Sequence, residues 1–145
     1  PTQSISGVEK QDAWVKGNYN FIANCRYYRS GDALYHRALE FRLLYSVIEL
    51  VAAYFLFRDI PWRGEKAAVR YFEERDPKFL EIFRKYSAGR SLAERMKCYR
   101  ALFVRMFFGE YRQWEKGFVV PISNNQNQFN HNLLRFWNEL AGNGT

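Results

Sequence analysis

"FRLLYSVIELVAAYFLFRDIPWRGEK", residues 41–66, decides how the rest of the chain is read. Between Arg42 and Arg58 lie fifteen residues with a single charge, Glu49. A membrane-spanning helix needs about 20 consecutive apolar residues. Leu43–Phe57 falls short of that and also carries Ser46 and Glu49. Arg42, Ser46 and Glu49 are spaced i, i+4, i+7, so they share one narrow polar stripe on a helix. The other faces are Leu, Val, Ile, Tyr and Phe. A helix that is apolar nearly all round is expected to be buried among several neighbours. The stretch therefore predicts the central helix of an all-α bundle. Pro61 ends it, by keeping Ile60 out of the helical region and by lacking an N–H donor.

The surrounding composition agrees. The chain has 145 residues, 48% hydrophobic and 19% aromatic, enough to build one packed core and too aromatic for a disordered chain. Only 9 Gly and 4 Pro interrupt it, which favours a few long elements over many short strands. Upstream of the central helix, Trp14, Asn18, Phe21, Cys25 and Tyr28 step by four and three, a helical seam, and Gly31 follows its last turn. Asp32 is placed to cap the second helix. A third helix is expected from about Gly64 to Arg75, with Val69 and Phe72 inward. Asp76 and Pro77 supply the N-cap and first position of a fourth, which Gly89 ends. Ser91–Glu94, "SLAE", is a capping box. It opens a fifth helix, read over 91–116, whose seam is Leu92, Met96, Tyr99, Phe103 and Met106. A last helix is expected over "SNNQNQFNHNLLRFWNELAG", with Phe129, Leu133, Phe136 and Leu140 on its seam. Short connections favour antiparallel neighbours. The expected architecture is an antiparallel up-and-down bundle of four to five main helices. Residues 1–10 are read as a linker or tag remnant, 11–142 as one helical domain and 143–145 as a tail.

Several chemistries are excluded by what is missing. His36 and His131 are the only histidines, and neither has a second His or Cys at helical spacing, so no metal site is expected. P-loop, dinucleotide-binding and nucleophile-elbow motifs are absent, and no cofactor is expected in this chain. Cys25 and Cys98 read as small core residues in a reduced, cytoplasmic setting. "PTQSISGVEK" shows no apolar signal region, and its start without Met leaves a fragment with an upstream module, a processed chain and a tagged product all open.

What remains is electrostatic. The formal net charge of +7 favours acidic partners. Glu49, a carboxylate in an apolar run, is the sharpest candidate for a general base; the structural alternative is an ion pair with Arg42 or another arginine. The basic helix carries Arg95, Lys97, Arg100, Arg105 and Arg112 among aromatics. These can contact nucleic-acid phosphates, although the aromatics sit at core spacing. The amide cluster 124–132 reads as helix capping or a polar ligand contact.

Two resemblances sharpen these alternatives. "RSGDALYH" contains Arg29, six intervening residues and His36, with the polar Ser30 after the arginine. This resembles the Arg-x(4–6)-His ribonuclease signature of HEPN helical domains. The likeness implies phosphate binding by Arg29 and proton transfer by His36.

The order of elements over 14–116 is similar to the helical accessory domain of kanamycin nucleotidyltransferase-like proteins. Its most particular pieces are "PWRGEK" and "RDPKFL". That resemblance implies a bundle lining one side of a nucleotidyltransferase cleft, with a carboxylate such as Glu49 toward the acceptor hydroxyl. Trp62, Arg63 and Lys66 would then meet phosphates or the partner domain. The Gly-Ser and Asp-x-Asp metal signature of the catalytic half is absent here, so the chain alone is not expected to transfer nucleotides.

The partners these readings admit are a nucleotidyltransferase domain in the same gene or a separate chain, nucleotide or RNA phosphates, and a second copy forming a homodimer. A membrane is not among them. A non-enzymatic bundle binding an acidic protein or nucleic acid completes the alternatives.

Overall fold

The computed structural model describes residues 7–115. The expected last helix, the amide cluster 124–132 and His131 lie outside these residues. Contacts divide the chain at Gln113/Trp114, and the account below is of the first unit. Its helices are α1 (Gly7–Arg29), α2 (Ala33–Phe57), α3 (Glu65–Arg75), α4 (Pro77–Ala88) and α5 (Leu92–Met106). Among the described residues there is no strand, only an isolated antiparallel bridge between Phe108 and Tyr111. No described helix is long and apolar enough to cross a membrane.

Local chemistry sets most boundaries. Asp32 caps α2, its side chain accepting from the Leu34 N–H at 2.8 Å. Asp76 caps α4 by accepting from the Phe79 N–H at 3.2 Å, with Pro77 first in the helix. Ser91 accepts from the Glu94 N–H at 3.1 Å, and Glu94 reaches back to the Arg90 N–H at 2.7 Å. These caps satisfy N–H groups that a helix start leaves open. The expected C-terminal glycines act differently. Gly31 does not take the left-handed conformation, and the α1–α2 turn is closed by Ser30, whose hydroxyl accepts from Asp32 N–H.

α2 ends in a Schellman motif built on aspartate. Asp59 sits at φ 57°, the Asp59 N–H bonds Leu56 O and the Ile60 N–H bonds Phe55 O. Aspartate tolerates this left-handed position better than most residues. Its carboxylate also meets Lys10 Nζ at 2.7 Å, tying the α2 exit to the first turn of α1.

The helices alternate in direction. Glu40 on α2 lies 3.9 Å from Arg95 at the start of α5, whereas Arg58 beyond α2 reaches the far end of α5. α2 and α5 therefore run the same way. α1 returns beside α2, and α4 returns beside α5; α3 is a short bridge from α2 to α4. This is an up-and-down helical bundle with α2 in contact with both α1 and α5.

The core is aromatic. Phe21 stacks on Phe103 at 3.9 Å, and Phe72 on Phe79 at 4.5 Å with Tyr54 edge-on to Phe72. Leu39, Leu43, Val47, Leu50 and Tyr54 carry the buried side of α2.

Three expectations need correction. Val69 is 42% exposed and Ala68 is the buried residue beside Phe72. The rings of Tyr71 and Phe72 pack on Tyr54 and Phe55 and turn α3 by one position. α5 stops at Met106, not near 116, because Phe107 is extended and its helix-end carbonyls are taken up by Arg58. Arg112 thus lies beyond the helix. Finally, α2 is not buried all round: Phe41, Leu44 and Ile48 are 76%, 61% and 70% exposed.

Arg58 closes the α2–α5 end of the bundle. Its guanidinium donates to Tyr54 O at 2.9 Å, Met106 O at 2.8 Å, Arg105 O at 3.2 Å and Phe107 O at 3.3 Å. It also lies 3.5 Å over the Tyr54 ring. A cation at a helix C-terminus satisfies open carbonyls and complements the helix dipole. Replacing it leaves several part-buried carbonyls unpaired. Arg58→Ala should lower unfolding free energy by about 2–4 kcal/mol in urea titrations followed by circular dichroism. Arg58→Lys should recover only part, because an ammonium lacks the planar fork.

Candidate functional site

The polar stripe of α2 meets a row of asparagines on α1. Asn20 and Asn24 are spaced i, i+4, so they face α2 together. Both are buried, at 8% and 0% exposure. Arg42 donates from Nε to Asn24 Oδ1 at 2.8 Å and from Nη2 to Asn20 Oδ1 at 3.3 Å. Its guanidinium also lies 5.2 Å from the Tyr27 ring centroid and 5.5 Å from that of Tyr45. Asn24 Nδ2 donates to Ser46 Oγ at 3.1 Å, and the amide also bonds the Tyr99 hydroxyl, whose pKa burial drives strongly upward. The arginine is therefore held by amides and ring faces, not by a carboxylate.

Glu49 is left at the end of this network. Its Oε2 accepts from Asn20 Nδ2 at 3.2 Å and lies 3.9 Å from Lys16 Nζ. Its side chain is 34% exposed, so the lysine contact is a weak, solvent-screened pair. The expected Arg42–Glu49 ion pair does not form. Asn20 stands between them, accepting from one and donating to the other.

Beside Glu49 opens a cleft of about 530 Å³ between α1 and α2, floored by Tyr99, Phe103 and Met106 of α5. This volume is typical of small-molecule sites. Gly17 allows the floor to rise, since a Cβ there would come within 3.0 Å of the Met106 methyl. The inner wall is apolar, from Leu50 through Phe55 and Ile60 to Trp62. The polar wall carries Glu9, Asp12 and Glu49 against Lys16. In a chain of net charge +7, this one wall is acidic.

The other candidates are dispersed. Trp62 lines the cleft, half-exposed and edge-on to Phe55 at 5.5 Å. Arg63 is exposed on the α2–α3 connection and Lys66 in the first turn of α3, and neither takes part in the cleft lining. Arg29 is exposed at the end of α1. His36 turns its Nε2 to Tyr28 O at 3.1 Å, with its ring 6.2 Å from that of Tyr28. Among the described residues no hydrogen bond joins Arg29 to His36. No group of three or more His, Cys, Asp or Glu suited to a metal ion occurs among them either. Cys25 and Cys98 are free thiols whose pKa values burial raises.

Lys16, Asn20 and Asn24 were not singled out from the sequence. The signal was present: asparagines are poor helix formers, and "GNYNFIANC" places two of them four apart inside an aromatic helix. Their pairing with Arg42, Ser46 and Glu49 required knowing that α1 and α2 are antiparallel neighbours.

No protein-family model, curated protein or solved structure matches the chain.

The network carries a stability prediction. Asn24→Leu removes the partner of Arg42, Ser46 and Tyr99 at a fully buried point. It should destabilise the fold by about 2–4 kcal/mol in chemical denaturation, because each loses a bond there and Arg42 keeps only its longer one to Asn20. Glu49→Gln, at a partly solvated point, should change stability by less than about 0.5 kcal/mol.

Proposed function

We propose that this chain is the helical acceptor-binding module of a nucleotidyltransferase, working with a catalytic domain in the same gene or on a separate polypeptide. The observation that carries this reading is the position of Glu49. Its carboxylate lies on the wall of an apolar-floored cleft, and Arg42 does not neutralise it.

The chemistry of the cleft selects the acceptor. Glu9, Asp12 and Glu49 favour a ligand bearing amines, and the Leu50–Trp62 wall favours one with an apolar face. A phosphate suits this wall poorly, although Arg63 and Lys66 outside it can meet nucleotide phosphates held by the partner. In the transfer step the acceptor hydroxyl attacks the α-phosphorus of a nucleoside triphosphate. A new O–P bond forms, the α–β phosphoanhydride breaks, and pyrophosphate leaves. In this proposal Glu49 takes the hydroxyl proton as general base. The triphosphate and its magnesium belong to the catalytic domain, because the matching carboxylate signature is absent from this sequence. A cytoplasmic location, where nucleoside triphosphates are abundant, belongs to the same proposal.

The RNA-cleavage reading through Arg29 and His36 gains no support from the geometry of the α1–α2 turn, where His36 is engaged with Tyr28 O. Loss of cleavage in His36→Ala would be its signature.

Calorimetric titration with an aminoglycoside, an amine-rich polyol, tests the binding half of the proposal. The chain should bind it, and Glu49→Gln should weaken binding by roughly tenfold while unfolding midpoints stay in place. The full gene product, or the complex with a nucleotidyltransferase domain, should then transfer nucleotide with a kcat that Glu49→Gln depresses. The reading fails if the aminoglycoside does not bind and no nucleotidyltransferase domain accompanies the chain.

A further inference from the structure

Within the first unit, the outer face of α2 is apolar and uncovered. Leu34, Phe41 and Ile48 are spaced by seven, and Leu44 and Tyr45 lie between the last two. Their exposures are 62%, 76%, 70%, 61% and 40%. These positions fall on one side of the helix, opposite Leu39, Leu43, Leu50 and Tyr54 in the core. Arg37 is the one charged side chain on this arc, between Leu34 and Phe41. Solvated helix faces ordinarily carry more charge than that, so a stripe this apolar marks a contact surface.

The stripe is symmetric about Phe41. In an antiparallel pairing of two α2 helices with the two-fold axis at Phe41, residue 41+k of one copy meets 41−k of the other. Leu34 then packs on Ile48, Phe41 on Phe41 and Ala38 on Leu44. In the same register Arg37 falls opposite Tyr45, a cation facing a ring. Glu40 and Arg42 lie outside the contact, engaged with Arg95 of α5 and with Asn20 and Asn24 of α1 within each copy. Self-complementarity of this kind is what an isologous two-fold interface requires.

The size is adequate. The five side chains present on the order of 500 Å² per copy, so pairing removes on the order of 1,000 Å² in all, near the lower bound for a specific interface. An interface of that size implies a reversible dimer of modest affinity.

We infer that this chain forms a two-fold homodimer through the outer face of α2, with Phe41 on the axis. The contact is independent of the nucleotidyltransferase reading, because the cleft opens between α1 and α2 and does not include Leu34, Phe41, Leu44 or Ile48.

Sedimentation equilibrium of the whole chain gives the first test. The weight-average mass should climb from 17.3 kDa toward twice that value as concentration rises through roughly 10–200 μM. Phe41→Lys should hold the mass at the monomer value at every concentration. At concentrations where both are monomeric, its circular dichroism and unfolding midpoint should match wild type, since Phe41 is 76% exposed.

Crosslinking fixes the register. With a short bismaleimide and peptide mapping, Phe41→Cys should link to itself. Leu34→Cys should link to Ile48→Cys when the two variants are mixed, and not to itself. A monomer at the highest concentration, a dimer indifferent to Phe41→Lys, or Leu34–Leu34 linkage overturns the inference. So does a full gene product that stays monomeric but loses stability on Phe41→Lys, because another domain of the same protein would then cover the stripe.

Discussion

The bundle depends on one cation placed between two helix ends. α2 and α5 run in the same direction, so their C-terminal carbonyls gather on one side of the molecule, where parallel dipoles would repel and open acceptors would need water. Arg58 answers both problems at once, donating to carbonyls of both helices while lying flat on Tyr54. Burial lowers its pKa from the usual value, yet a guanidinium retains its proton at neutral pH. The neighbouring contacts build on this joint. Tyr54 donates its hydroxyl to Asp76 at 2.9 Å, Asp76 caps α4, and Arg105 approaches the same carboxylate at 3.5 Å. Phe57 stacks on Tyr111 at 5.1 Å and Trp14 donates to Arg112 O, which returns the segment after α5 to α1.

A second joint, along α1 and α2, explains the charged residues of an otherwise apolar helix. Buried charge persists when it is paired or fully hydrogen-bonded. Arg42 meets that condition through two asparagine amides and two tyrosine rings. Because amides carry both donor and acceptor, Asn20 can serve Arg42 with its oxygen and Glu49 with its nitrogen. The carboxylate is thereby positioned without an arginine partner, with Lys16 Nζ 3.9 Å away.

Much of the fold was legible because it rests on short-range rules. Asp32, Asp76–Pro77 and Ser91–Glu94 announce helix starts by residue type alone, and each does so in the structure. The seam Met96, Tyr99, Phe103 and Met106 is buried as its spacing implies. The misreadings share a cause. The end of α5 is set by Arg58, nearly fifty positions earlier in the chain, and the rotation of α3 by rings on α2. An aspartate in a glycine's place at the end of α2 hid the Schellman turn.

For the site, the sequence held the composition of the polar stripe and the oddity of Glu49 within it. Periodicity assigns Arg42, Ser46 and Glu49 to one face because a helix turns 100° per residue whatever surrounds it. It is silent on which face a neighbour covers. An apolar residue lowers the free energy equally against a core or against a second molecule, so Phe41 and Leu43 look alike as letters. Packing separated them, leaving Leu43 at 1% exposure and Phe41 at 76%. In the same way, an arginine two turns from a glutamate is an ion pair on paper. The antiparallel placement of α1 put Asn20 between them, and that long-range contact opened Glu49 to the cleft.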